Sequence, residues 1–139
     1  MRIRSSKIVL ITMLWISLAS CGQKQNEKSS DQDSASKISL ISPEDLNKVN
    51  KDIILIDVRT PGEYASGHVE NSVNIDFRAS NFKELIGELD KNQDVYVYCK
   101  VGGRSGSAAR MMEDIGFKKV YDLKGGIIAW EKDGFKTVK

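Results

Sequence analysis

The chain has 139 residues, with 21 Lys and Arg against 19 Asp and Glu, one histidine and two cysteines. That length accommodates a single domain plus its ends, and a lone histidine excludes a metal site built from histidines. The formal charge of +2 does not point to nucleic acid, because Arg2, Arg4 and Lys7 precede an apolar run from Ile8 to Ala19, the layout of a secretory signal. Without residues 1–20, 18 basic side chains face 19 acidic ones, and no nucleic-acid patch is expected.

A helix of the apolar run would span ~18 Å at ~1.5 Å per residue, against a hydrocarbon core of ~30 Å, so it is too short for an anchor. Leu18-Ala19-Ser20-Cys21 resembles a bacterial lipobox, in which the cysteine is acylated and becomes the new N-terminus. The alternative is an ordinary signal peptide with a cysteine near its end. The position, the small residues and the polar stretch that follows all favour lipidation of Cys21, with export to a bacterial membrane facing the periplasm or the cell surface. Residues 21–37 carry no large apolar side chain and read as a flexible tether. The folded domain is expected over 38–139. If Cys21 carries lipid, Cys99 is left as an unpaired thiol outside the cytoplasm, where a pair of cysteines would ordinarily form a disulfide.

Within the domain, strand and helix signals alternate and no internal repeat is found. KISLI is a short strand, and Ser42 with Pro43 opens a helix as N-cap and first position. DIILIDV is a continuous apolar run of strand length, the mark of a strand buried on both faces. Thr60-Pro61-Gly62-Glu63 is a capping box that opens a helix through Tyr64, and SVNI is another short strand. Phe82, Leu85, Ile86 and Leu89 repeat at helical spacing. DVYVYC is a strand ending at Cys99. Ala108, Met111, Met112 and Ile115 form the buried face of the next helix, which Gly116 stops. KKVYDL is the last strand, and Ile127–Trp130 the last helical turn. The alternation predicts an α/β domain with a mainly parallel sheet, in which ligands bind beyond the carboxyl ends of the strands.

Cys99 lies at such an end. The segment Cys99-Lys100-Val101-Gly102-Gly103-Arg104 links it to a helix expected to start near Arg104 or Ser105. Its glycines allow successive N–H groups to point inward, and the helix start adds a positive dipole end. With Lys100 and Arg104 as charges, the loop favours a thiolate and receives an anionic substrate. A pKa lowered from ~8.5 to ~6.5 corresponds to ~2.7 kcal/mol. A buried structural cysteine is the bland alternative, and a nucleotide-binding loop is a weaker one because no Gly-Lys-Ser/Thr follows the glycines.

Residues 38–136 resemble a single-domain rhodanese, a sulfurtransferase. LIDVRTPGEYASGHVENSVNI is similar to the family's first signature, VYVYCKVGGRS to its active-site loop, and GFKKVYDLKGGIIAW to the stretch that closes the domain. Asn71 and Ser72 depart from the family's usual glycine and alanine. The resemblance implies a three-layer fold with a central five-stranded sheet flanked by helices. It also implies a Cys99 persulfide, formed from thiosulfate or a persulfide donor and discharged to a thiol or cyanide. Backbone N–H groups from Lys100, Val101, Gly102, Gly103, Arg104 and Ser105 would hold the transferred sulfur and the departing anion, with no metal or organic cofactor. Related phosphatases have a loop one residue longer.

Asp57 and Arg59 sit at a second strand end and are expected to support the loop by hydrogen bonding. His68 is expected to hold its own turn. Glu63 is accounted for by its cap, Tyr64 and Trp130 by the core, and Met111-Met112 by the buried helix face. A carrier module that delivers sulfur only to a docked protein acceptor is the competing reading. A thiol-redox or arsenate-reducing enzyme would want a resolving cysteine, which lipidation of Cys21 removes.

Overall fold

The computed structural model describes residues 36–49 and 52–139. The expected signal peptide, Cys21 and the tether up to residue 35 lie outside the described residues. Five strands, β1 (Ile38–Ile41), β2 (Ile54–Asp57), β3 (Val73–Asn74), β4 (Val95–Tyr98) and β5 (Val120–Leu123), form one sheet in the order β1-β5-β4-β2-β3, and every pairing is parallel. Between them run α1 (Pro43–Lys48), α2 (Pro61–Ser66), α3 (Phe82–Gly87) and α4 (Gly103–Asp114), and α5 (Gly126–Lys132) follows β5.

Local chemistry sets several of these boundaries. The Ser42 hydroxyl accepts from Asp45 N at 3.1 Å and Pro43 occupies the first helical position of α1. Thr60 and Glu63 close the capping box of α2, which runs two residues beyond Tyr64. The strands are shorter than their apolar runs. β2 stops at Asp57 because its carboxylate turns back to accept from Arg59 N at 2.9 Å. Pairing begins one residue before the expected domain start, where Lys37 O accepts from Val120 N at 2.9 Å and Lys37 N donates to Glu113 Oε1 at 2.8 Å.

Alternation along the strands divides the core in two. Ile56, Val58, Val95, Val97, Cys99 and Val120 face α3 and α4, where Phe82, Ile86, Ala108, Ala109 and Met112 cover them. Leu55, Tyr96, Tyr98 and Leu123 face Leu46 of α1 and Ile127 and Trp130 of α5. This is the expected three-layer α/β fold. Met112 is fully buried while Met111 packs at the margin. Because all strands run one way, the segments after Ile41, Asp57, Tyr98 and Leu123 emerge at one edge of the sheet.

Candidate active site

Cys99 is the first residue past β4 and only 1% exposed, so its sulfur forms the floor of the following loop. Gly102, with φ +110°, adopts the left-handed conformation that glycine tolerates, and caps α4. The helix therefore starts at Gly103, one or two residues earlier than the sequence suggests. Gly102 N donates to Cys99 Sγ at 3.1 Å, and the Ser105 hydroxyl donates to the same sulfur at 3.5 Å. Ser105 Oγ also lies 3.2 Å from Gly102 O. Burial pushes the Cys99 thiol up. The Ser105 hydroxyl and the N–H groups of Ser105, Gly102 and Val101 outweigh it and hold the thiol below its ordinary value. Gly103 and Arg104 N–H groups open α4, where no intrahelical acceptor reaches them.

The outer side of the loop is held by α5. Ile127 N donates to Cys99 O at 2.9 Å and Ile128 N to Lys100 O at 3.2 Å. Each peptide is planar and trans, so fixing those carbonyls outward turns the Lys100 and Val101 N–H groups the opposite way. The approach is close enough to require Gly126, with φ +59°, since a Cβ there would meet Lys100 O at 2.6 Å. The glycine pair is visible in the sequence, but its contact with the cysteine loop follows only once β4 and β5 are known to be neighbours.

Glu63 requires a correction. The cap does not account for it alone, because both carboxylate oxygens also accept from Arg104, Oε2 from Nη1 at 2.7 Å and Oε1 from Nη2 at 2.8 Å. Arg104 hydrogen bonding, with help from Thr60, holds the Glu63 carboxyl well below the usual carboxylate range. The Arg104 charge is thereby engaged at the loop's end. Lys100 and Val101 stand exposed beside the loop.

Asp57 and Arg59 form a buried pair beneath the site, with Arg59 Nε 3.0 and 2.9 Å from the two Asp57 oxygens and Nη2 2.6 Å from Oδ2. Arg59 Nη2 also donates to Gly67 O at 2.7 Å, and the guanidinium lies 5.8 Å from the Tyr98 ring centroid. The pair thus ties the end of β2 to the residue before Cys99. Val58 N adds a bond to Tyr98 O at 2.9 Å. His68 stacks on Tyr64 at 3.7 Å between ring centroids and bridges Val138 through the backbone. A cleft of about 190 Å³ opens among Arg59, Glu63, Gly67, Lys100, Ile127, Ile128 and Glu131. Among the described residues, no cluster of three His, Cys, Asp or Glu is arranged for a metal ion, and no helix is long and apolar enough to cross a membrane.

A model of the rhodanese-like domain matches residues 42–133. The chain belongs to the rhodanese-like family. A protein named sulfurtransferase from Allochromatium vinosum is 34% identical over 88 residues, covering 63% of this chain and 80% of that protein. The tRNA uridine(34) hydroxylase of Buchnera aphidicola is 34% identical over 101 residues, but the match spans only 32% of its length. Among solved structures, a rhodanese-related protein from Thermoplasma volcanium superposes with a TM-score of 0.64 at 32% identity, covering 70% of this chain and 95% of that one. A rhodanese-like domain protein from Staphylococcus aureus gives 0.62 at 25% identity, covering 73% and 99%.

Proposed function

We propose that the domain is a sulfurtransferase that moves sulfane sulfur from thiosulfate or a persulfide donor to a thiol or cyanide through a Cys99 persulfide. The observation that carries the reading is the set of donors around one thiol: Gly102 N at 3.1 Å and Ser105 Oγ at 3.5 Å from Cys99 Sγ, at the start of a helix. With thiosulfate, the Cys99 thiolate attacks the outer sulfur and a Cys–S bond forms as the donor S–S bond breaks. Sulfite leaves with the bonding pair. The negative charge then rests on the terminal sulfur of the persulfide, where the loop N–H groups stabilise it. An acceptor thiolate or cyanide next attacks that sulfur and the Cys99 thiolate departs, so no outside oxidant or reductant is consumed. Lys100, exposed at the mouth, attracts the anion, and the Arg104–Glu63 pair keeps the loop in shape.

A second reading, a carrier that discharges only to a docked protein, is favoured by Val101 and Ile128, apolar side chains 65% and 45% exposed around the loop. Turnover with small thiols and cyanide separates the two. Lipidation at Cys21 and attachment to a bacterial membrane belong to the same proposal and rest on residues 1–37 of the sequence. The deciding experiment is intact mass after thiosulfate treatment. One added sulfur, absent in Cys99→Ser, is expected; no added sulfur in the wild type, or sulfur transfer retained by Cys99→Ser, overturns the persulfide route.

A further inference from the structure

The cleft beside the cysteine loop touches both ends of that loop. Lys100 follows Cys99 directly, and Glu63 holds Arg104 at the far end. Most polar side chains along the cleft are already engaged. Arg59 is bound by Asp57 and Gly67 O, Glu63 by Arg104 and Thr60, and the Ser66 hydroxyl donates to Glu63 O at 2.7 Å. Lys100 and Glu131, one charge of each sign, are the exceptions. Both are exposed, and neither has an ion pair or a side-chain hydrogen bond among the described residues. Glu131 stands on α5, whose first turn binds the Cys99 and Lys100 carbonyls. It follows Ile127 by four residues and Ile128 by three, so the three share one helix face. The glutamate sits about 6 Å farther along the axis than Ile127. Its place also runs against local stability. The last turn of a helix carries the negative dipole end and favours cations, which the neighbouring Lys132 supplies. A carboxylate there gains nothing from the helix.

We propose that Glu131 is a specificity-determining residue for discharge of the Cys99 persulfide, selecting acceptor thiols that carry an ammonium group a few atoms from the sulfur. This rests on the sulfur-transfer reading and names the acceptor class for that site. The two free charges divide the two half-reactions between them. Lys100 attracts the anionic donor. Once sulfite has left, Glu131 receives the ammonium of the incoming acceptor, whose methylenes lie along the wall formed by Ile127 and Ile128. The acceptor thiol gives its proton to solvent, and its thiolate attacks the terminal sulfur of the persulfide. A new S–S bond forms as the bond to Cys99 breaks, and the electron pair of that bond returns to the Cys99 sulfur. The acceptor departs as a persulfide, and its ammonium keeps its protons throughout. Charge accounts for the selection. The attacking sulfur and the persulfide are both anionic, and the Glu131 carboxylate adds a third negative charge. A thiolate that carries an ammonium arrives neutral overall and satisfies that carboxylate. A thiolate that carries a second carboxylate is repelled by it.

The test is single-turnover discharge in the full chain. Cys99 is loaded with thiosulfate, and excess donor and sulfite are removed. Loss of the added sulfur is then followed by mass with cysteamine, 2-mercaptoethanol and mercaptoacetate, which carry an ammonium, a hydroxyl and a carboxylate on a short carbon spacer. Comparing rate ratios between wild type and variant cancels the intrinsic reactivity of each thiol. Glu131→Gln is expected to lower the cysteamine-to-mercaptoacetate ratio about three- to tenfold, and less at high salt. Glu131→Lys is expected to lower it further. Glu88→Gln removes an exposed carboxylate at the end of α3, outside the cleft, and is expected to leave the ratio unchanged. Thermal unfolding checks that the variants fold. A second measurement needs no persulfide: mixed-disulfide formation by the Cys99 thiolate with cystamine or dithiodiglycolate, read on the Cys99 peptide. The ratio of cationic to anionic reagent is again expected to fall in Glu131→Gln. Unchanged ratios in Glu131→Gln, or an equal fall in Glu88→Gln, overturn the inference. If the disulfide ratio falls but thiosulfate adds no sulfur, the charge selection at the cleft stands and the sulfur-transfer reading falls. If sulfur is loaded and discharged with unchanged ratios, that reading stands and the role of Glu131 falls.

Discussion

Glu63→Gln isolates the ionic half of a residue that does two jobs. In the native protein Glu63 Oε2 accepts from Thr60 N at 3.1 Å and Thr60 Oγ1 at 2.9 Å, while the two carboxylate oxygens take the Arg104 fork at 2.7 and 2.8 Å. Glutamine at this position still closes a capping box through its one amide oxygen, so what is lost is the charge and one prong of the Arg104 contact, because its NH2 cannot accept. The Arg104 and Glu63 side chains are 19% and 32% exposed, between an exposed ion pair, which contributes little, and a buried one. A loss of about 1–2 kcal/mol follows after allowance for solvent screening. For a domain of about 100 residues that lowers the unfolding midpoint by roughly 5–15 °C near neutral pH. The pH dependence has a fixed sign. Arg104 and Thr60 depress the folded-state pKa of Glu63, so its contribution is complete above the unfolded value of about 4.3 and is lost as pH falls toward the folded value. Calorimetric melts of wild type and Glu63→Gln should therefore differ by a constant margin above about pH 5, narrowing below about pH 4. The variant should also lose thiosulfate turnover several-fold, because the freed guanidinium no longer fixes the loop. Equal midpoints at pH 7, or a margin that persists unchanged to pH 2–3, would refute the reasoning.

Arg104→Lys preserves charge but not the two-pronged contact with Glu63, and should cut turnover strongly, whereas Lys100→Ala should mainly raise the thiosulfate KM in a salt-dependent way. Equal losses in steady-state kinetics at low and high salt would mean that charge alone matters. Gly126→Ala forces a side chain into a left-handed backbone and against Lys100 O, and should cost roughly 2–4 kcal/mol in denaturant unfolding while raising the Cys99 alkylation midpoint. A variant of native stability would show that α5 can retreat from the loop. Cys21→Ala should lack the acyl mass carried by the wild type and leave the membrane fraction; a wild type without acyl mass removes the lipid anchor.

Local chemistry was readable from the chain; long-range partnership was not. The apolar run into Cys99, the capping box at Thr60–Glu63 and the Ser42–Pro43 helix start are set by neighbours in sequence, and they formed as their residue types dictate. The second partner of Glu63 is 41 positions away, so nothing nearby distinguishes it from an ordinary capping glutamate. Asp122 interrupts a strand whose apolar neighbours predict burial, but only the packing of β5 under α4 places its carboxylate against Gly106 in the first turn of that helix. The helix after the loop began earlier than expected because Gly102 itself takes the cap conformation, a choice that composition leaves open.

The clamp of α5 on the carbonyls of Cys99 and Lys100 bears on portability. Moved alone onto another parallel sheet, the six residues from Cys99 to Arg104 would carry the nucleophile and the glycines but lose the bonds from Ile127 and Ile128 that aim their peptide planes. Such a transplant should yield a cysteine of nearly ordinary reactivity. The smallest unit worth grafting is discontinuous: the loop together with Gly125–Ile128, on adjacent strands in the order found here. Designers seeking a reactive thiol from this scaffold would have to copy two segments and the spacing between them.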